Sequence, residues 1–265
     1  MEYVPQIIFD INNSGVATLT FNRPEKLNTL TTQMIDEWIA ILSDWQNNES
    51  VNVIVLTGAG KAFCAGGDAN AMQDRSKIDA LERKNFLWHK LHRIALLLEQ
   101  IDKPIIACIN GTARGAGMDI ALMCDLRFIA ESATLAESYI NMGVIAGNGG
   151  TYYLPRIIGI DRALELFWTG RVIGSNEAMN LGLVTKVIPD QELLENTLQF
   201  AELIAHQPKA AIRTYKRAVY QSLGMSLSTH LDLISSHMSV LRDTDDHRNK
   251  VANFLNSTLK KNKSK

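Results

Sequence analysis

Two glycine-rich segments hold the residues whose types and spacing point to chemistry. Gly58-Ala59-Gly60-Lys61-Ala62-Phe63-Cys64-Ala65-Gly66-Gly67-Asp68 and Gly111-Thr112-Ala113-Arg114-Gly115-Ala116-Gly117-Met118-Asp119 each follow directly on a short apolar run. Glycine or alanine there lets backbone N–H groups come close to a ligand, and a helix starting at Gly115 adds unpaired donors and a positive dipole end. Together the segments offer two N–H groups converging on one oxygen, an oxyanion hole. Plain tight turns are the other reading of the same glycines. Asp119 stands two positions after Gly117 and brings a carboxylate beside that hole, where acid/base work is the stronger reading and a dipole-stabilised helix residue the plainer one. Two phosphate motifs do not fit. Gly60-Lys61 is followed by Ala62 and has Val55 where a P-loop needs its first glycine, and GxGxxG is absent from both segments.

The elements that must position these segments are legible on either side. Ile7 to Ile11 and Val16 to Phe21 read as strands joined by the hairpin residues Asn12-Asn13-Ser14-Gly15, and Asn22-Arg23-Pro24 ends the second. From Thr31 to about Asn47, Met34, Ile35, Trp38, Ile41, Leu42 and Trp45 recur at the spacing of one helix face. Val53 to Leu56 is a strand buried on both faces. A helix from about Ala80 to Gln100 leads through Lys103-Pro104 into the buried strand Ile105 to Ile109, then a helix at Gly115 to Met123 and a strand at Leu126 to Ala130. Strands alternating with helices predict parallel βαβ units, with both glycine segments at carboxyl ends of neighbouring strands, where open α/β sheets bind ligands. Helical periodicity then covers Arg162 to Trp168, Ser175 to Leu181, Gln191 to His206 and most of Pro208 to Leu259. The fold class is α/β, with an α/β core over residues 1–200 and a helical region over 201–265. There is no internal repeat, and the basic end Lys260 to Lys265 reads as a solvated tail.

Composition bounds the function. With 265 residues, 46% of them apolar and 21% charged, the chain can bury a sizeable core, which excludes disorder. No apolar run approaches the ~18 residues of a membrane span, and Met1 to Gln6 has neither a basic region nor an apolar one, so a cytoplasmic protein is expected. Lys plus Arg (27) and Asp plus Glu (28) nearly cancel, which disfavours nucleic acid and anionic membranes as partners and favours a small-molecule substrate. Cys64, Cys108 and Cys124 are odd in number and widely spaced, so buried thiols are expected rather than a disulfide frame or a metal site.

A family resemblance rests on several stretches at once. Asn22-Arg23-Pro24-Glu25-Lys26-Leu27-Asn28-Thr29-Leu30, Phe63-Cys64-Ala65-Gly66-Gly67-Asp68, Lys103-Pro104 through Asn110-Gly111, Gly115-Ala116-Gly117-Met118-Asp119, Cys124-Asp125 and Ala178 through Gly182-Leu183-Val184 resemble the enoyl-CoA hydratase/isomerase, or crotonase, superfamily. The resemblance implies a crotonase-like superhelix of repeated ββα turns with a C-terminal helical trimerisation region, and homotrimers that often pair into hexamers. It also implies an acyl-CoA substrate, or an acyl group on a carrier protein, with coenzyme A entering as part of the substrate and no separate cofactor. Carried over position by position, the backbone N–H groups of Gly67 and Ala116 hold the thioester carbonyl. The same resemblance implies that the stretch Arg23 to Leu27 lies against the CoA nucleotide, with Arg23 and Lys26 as candidate phosphate contacts or, equally, plain solvated surface. It likewise implies that Ala65, Gly66, Asp68 and Gly115 border the substrate.

The sequence departs from the hydratase pattern where hydration needs two glutamates. Asp119 stands at the first position and Tyr139 at the second, and a phenol of reference pKa about 10 is not the same base near neutral pH. Gly147 occupies the position at which dienoyl-CoA isomerases and 4-chlorobenzoyl-CoA dehalogenases carry an aspartate. The dehalogenase resemblance extends to Trp88-His89-Lys90-Leu91-His92, with His92 at its catalytic histidine, although both histidines also read as polar members of a helix. Glu137 takes the lost acid's place only if the register shifts by two, and Tyr139 either packs as an aromatic or donates its hydroxyl. Asp119 with the Gly67 and Ala116 donors favours double-bond isomerisation or an atypical hydration. Decarboxylation of a malonyl-type thioester with Tyr139 as proton donor, and a non-catalytic acyl-CoA-binding role, are the alternatives.

Overall fold

The computed structural model describes residues 5–68, 73 and 77–263. Strands β1 (Ile7–Ile11) and β2 (Val16–Phe21) form the expected hairpin, with Ile7 opposite Phe21 and Ile11 opposite Ala17. Asn12 organises the turn by accepting the N–H groups of Ser14 and Val16, each at 3.0 Å. Helix α1 (Thr32–Asn47) starts where Thr31 accepts the Met34 N–H at 3.1 Å, and it buries Met34, Ile35, Trp38, Leu42 and Trp45. Phe21 meets Trp38 and Phe63 edge to face, with centroids 5.1 and 5.7 Å apart, so the strand, the helix and the first glycine segment share one core.

The architecture is a ββα repeat. Strands β3 (Val53–Gly58) and β4 (Ala62–Cys64) come first, followed after α2 (Ala80–Phe86) and α3 (His92–Gln100) by β5 (Ile105–Ile109), β6 (Thr112–Arg114) and α4 (Ala116–Met123). Then come β7 (Leu126–Ala130), β8 (Thr134–Ala136), α5 (Gly150–Ile158), α6 (Ile160–Thr169), β9 (Ile173–Gly174), α7 (Ser175–Asn180), β10 (Lys186–Ile188) and α8 (Leu193–Ala205). In the pairs β3/β4, β5/β6 and β7/β8 the first strand joins a six-stranded sheet of order β1-β2-β3-β5-β7-β10 and the second a four-stranded sheet of order β4-β6-β8-β9. Pairing from β2 through β10 in the larger sheet is parallel.

Two expectations change in detail. The glycine segments are not wholly turns: β4 and β6 lie inside them and pair in parallel. Three-residue strands leave no periodicity to read. The helix expected over Ala80 to Gln100 is interrupted by a π turn at Leu87–Leu91, a device that inserts one residue into the helical ladder and often accompanies a functional site.

Two close approaches fix the layers. A Cβ on Gly117 would lie 1.9 Å from the Cys64 carbonyl oxygen, so α4 reaches β4 only because residue 117 has no side chain. Lys103 is fully buried, and its Nζ donates to the carbonyls of Trp45 and of Asn48, the latter at 2.6 Å, at the C-terminal end of α1. The three cysteines are free and buried, as expected, and burial pushes the Cys64 thiol up to about 12.

The chain divides into two compact units, residues 1–203 and 204–265. The second consists of α9 (Lys209–Ser222), α10 (Leu227–Arg242) and α11 (Asp245–Lys263), with Ser226 capping α10 through the Thr229 N–H at 3.3 Å. No helix among the described residues is long and apolar enough to cross a membrane.

Candidate active site

The two glycine segments meet at the start of α4. Gly115 adopts φ +48°, ψ −117°, a conformation natural to glycine alone, and its N–H donates to the Ala136 carbonyl at 2.9 Å. This anchors the first residue of α4, Ala116, whose N–H has no intrahelical acceptor because it lies in the first turn. On the opposing segment, the Leu30 N–H donates to Gly66 O at 2.8 Å and the Asp68 N–H to Leu30 O at 3.2 Å. That bridge leaves the Gly67 N–H facing away from Leu30. Gly66 has φ +99°, and a Cβ on it would lie 2.9 Å from Arg114 O and 3.8 Å from Ala116 N. Gly67 and Ala116 line one cavity of about 310 Å³ together with Ala65, Gly66, Gly115 and Tyr139.

Asp119 sits one helical turn along α4 from Ala116 and is fully buried. Its Oδ2 accepts the Tyr139 hydroxyl at 2.5 Å and the Asn148 N–H at 3.2 Å. Glu137, 1% exposed, belongs to the same cluster: a Cβ on Gly150 would lie 2.2 Å from Asp119 Oδ1 and 3.0 Å from Glu137 Oε1. No register shift is needed to bring Glu137 in. The backbone leaves β8 at Ala136 and enters the short 3-10 turn Ser138–Met142, which presents Glu137 and Tyr139 to Asp119 from one side.

Burial raises the Asp119 carboxyl to about 6, against the opposing pull of the Tyr139 hydroxyl and the Asn148 N–H. Burial, and then the Asp119 charge, push Glu137 up to about 10. The Tyr139 phenol is also pushed well above its ordinary value, first by burial and then by the Asp119 charge. Near neutral pH the phenol is therefore a hydrogen-bond donor, and Asp119 is the group whose ionisation lies closest to neutrality.

The remaining sequence-predicted residues lie at varying distance from this centre. Arg23 bonds Asp68 Oδ2 through both terminal nitrogens at 3.2 Å and donates to Thr29 O at 2.5 Å, so this guanidinium is engaged by its own loop and by the end of the first glycine segment. Leu27, at φ 49°, is 43% exposed, and Lys26 beside it is exposed. The Ala65 N–H donates to Leu27 O at 2.9 Å, which ties this loop to the first glycine segment. His92 Nε2 lies 2.8 Å from the Gly147 carbonyl oxygen, which places the proton on Nε2. His92 lines a second cavity of about 690 Å³ that shares Leu87, Gly147 and Asn148 with the first. Sequence reasoning did not single out Asn148 and Gly150. The run Gly147-Asn148-Gly149-Gly150 was their signal, since so many glycines mark a backbone held close to something.

Comparison with known proteins shows the family and the fold. The sequence profile of the enoyl-CoA hydratase/isomerase family matches residues 11–263. A short-chain-enoyl-CoA hydratase of Clostridium acetobutylicum is 32% identical over 91% of each chain. A 1,2-epoxyphenylacetyl-CoA isomerase of Escherichia coli is 33% identical, covering 91% of this chain and 92% of its own. The crystal structure of an enoyl-CoA hydratase from Bacillus anthracis superposes with a TM-score of 0.90 at 33% identity, covering 96% of this chain and 97% of that one. The crotonase-like fold and the sequence together show that this chain belongs to the enoyl-CoA hydratase/isomerase family of acyl-CoA enzymes.

Proposed function

We propose that the protein relocates a double bond in an enoyl-CoA thioester. The Asp119 carboxylate removes a proton from the carbon next to the double bond, so that a C–H bond breaks, an O–H bond forms and the electron pair passes to the thioester oxygen. The Gly67 and Ala116 N–H groups hold that oxygen as the enolate develops, where a single such donor is worth ~3 kcal/mol in the transition state. Asp119 then returns the proton to the other end of the shifted double bond, with no net gain or loss of atoms.

The observation that carries this reading is Asp119 itself: a buried carboxyl raised to about 6, one helical turn from Ala116 and hydrogen-bonded to Tyr139 and Asn148, both of which line the cavity bordered by the two donors. Hydration calls for two groups that both reach the water, one ionised to take its proton and one acidic to protonate the α-carbon; here the Tyr139 hydroxyl is directed at Asp119, and Glu137 lies buried against Asp119 at Gly150. Decarboxylation asks Tyr139 to give its proton to carbon, whereas that hydroxyl is directed at Asp119.

The test is a panel of enoyl-, dienoyl- and malonyl-type CoA thioesters assayed with wild type and Asp119→Asn. Isomerisation that falls about 10²–10⁴-fold in the variant supports the reading. Unchanged isomerisation overturns Asp119 as the base, malonyl turnover alone favours decarboxylation, and tight binding without turnover favours a binding homologue. Phosphopantetheine thioesters matching the CoA thioesters in affinity would move the substrate to a carrier protein. We further propose a homotrimer, alone or paired into a hexamer, built through the C-terminal helices, where Tyr215, Val219, Leu223 and Leu227 are all at least 60% exposed in the single chain. Light scattering on the full chain tests this, and a monomer would overturn it.

A further inference from the structure

The site holds a carboxyl that the proposed reaction does not use. Glu137 is 1% exposed, and neither of its side-chain oxygens has a conventional hydrogen-bond partner; Asp119 Oδ1 is in the same position. These atoms face one another across the start of α5, since the point 2.2 Å from Asp119 Oδ1 and 3.0 Å from Glu137 Oε1 is a single point, the absent Cβ of Gly150. The titratable groups facing Glu137 are Asp119 from α4 and Tyr139 from the turn after β8; α5 contributes backbone and its N-terminal end.

Two carboxylates buried side by side repel strongly, so the pair keeps one proton. The donors decide which group carries it. Asp119 Oδ2 already receives an O–H from Tyr139 and an N–H from Asn148, both of which favour its charged form, while Glu137 receives neither. We propose that Glu137 is a neutral carboxylic acid whose O–H is shared with Asp119 Oδ1, making it the positioning residue that keeps Asp119 the ionised member of the pair. The direction of the ionisation shifts agrees, with Glu137 raised further than Asp119. The chemical consequence is a base whose Oδ2 is held by Tyr139 and Asn148 and whose Oδ1 is held by Glu137, an inference that rests on Asp119 being the base.

The primary experiment is carbon-13 NMR of the carboxyl groups in the full chain, with no substrate present. One glutamate carboxyl is expected to stay protonated from pH 6 to pH 8 and to vanish from the spectrum of Glu137→Gln. A wild-type spectrum in which every glutamate is ionised across that range would overturn the proposal, and it needs no variant to be read.

Kinetics give a second readout. Glu137→Gln replaces one neutral donor by another, so kcat/KM is expected within about threefold of wild type with its acidic limb unmoved, whereas Glu137→Leu removes the donor and moves that limb to higher pH. A limb that falls by about one pH unit or more in Glu137→Gln would mean that a negative charge had been removed, contrary to the proposal. Failure here is separable from failure of the isomerase reading. Full turnover in Asp119→Asn ends the proposed reaction but leaves the protonated glutamate signal in place, and loss of that signal ends the proton sharing while leaving the isomerase assay untouched.

Discussion

The Tyr139 hydroxyl points at Asp119 Oδ2 from 2.5 Å and shares that oxygen with the Asn148 N–H. A carboxylate that accepts two donors on one oxygen is stabilised in its charged form, which offsets part of the rise that burial imposes. The phenol thus tunes the base.

Tyr139→Phe removes one donor and leaves the other. Asp119 is then expected to ionise above its present value of about 6, moving the acidic limb of kcat/KM upward by as much as about one pH unit, or ~1.4 kcal/mol. The plateau at higher pH is expected within a few-fold of wild type, because the phenylalanine keeps the packing. A pH–rate profile on an isomerised substrate decides it. A plateau that collapses while the limb stays in place would make Tyr139 a proton donor to carbon.

Gly150 sets a steric condition on the same carboxylate. Its backbone φ lies outside the left-handed region, so alanine meets no conformational penalty there; its methyl group would instead stand 2.2 Å from Asp119 Oδ1 and 3.0 Å from Ala146 Cβ. The Asp119 side chain is short and enclosed, so it must rotate away. Gly150→Ala is expected to lower kcat about 10²-fold, the usual cost of misplacing a reacting group by an ångström, with KM nearly unchanged. Far-ultraviolet circular dichroism checks that the fold persists, and an unaffected kcat would show that Asp119 does not need its present position.

How much of this was legible in the sequence follows from the range of each interaction. The α1 stripe and the buried strand Ile105–Ile109 show their pattern within a few residues, and both stand where expected. Asp119 was legible because its type and its distance from Gly117 are local facts. The three-residue strands β4, β6 and β8 are shorter than any period, and the π turn at Leu87–Leu91 preserves an apolar helical composition while changing its phase. Glu137 depended on how the chain turns between Ala136 and Ser138, which no side-chain pattern encodes. The Arg23–Asp68 ion pair joins residues 45 positions apart, so the sequence offered Arg23 as a free cation and the fold engages it.

The protonated Glu137 also has a thermodynamic signature. Its ordinary value is 4.5, and in the folded protein it is raised to about 10. Below pH 4.5 the group is protonated in both states and contributes nothing to the pH dependence. As pH rises above that value the unfolded chain loses a proton that the folded chain retains, so the unfolded state binds fewer protons and stability falls, by up to about 1.4 kcal/mol per pH unit until the folded group itself ionises. Asp119, raised from 3.8 to about 6, acts in the same direction over a narrower window and is present in both proteins compared. Glu137→Gln removes the larger contribution. The variant is therefore expected to gain on wild type progressively between pH 5 and pH 9, as measured by denaturant unfolding at each pH. A stability difference that stays constant across that interval would show that Glu137 is ionised in the folded protein.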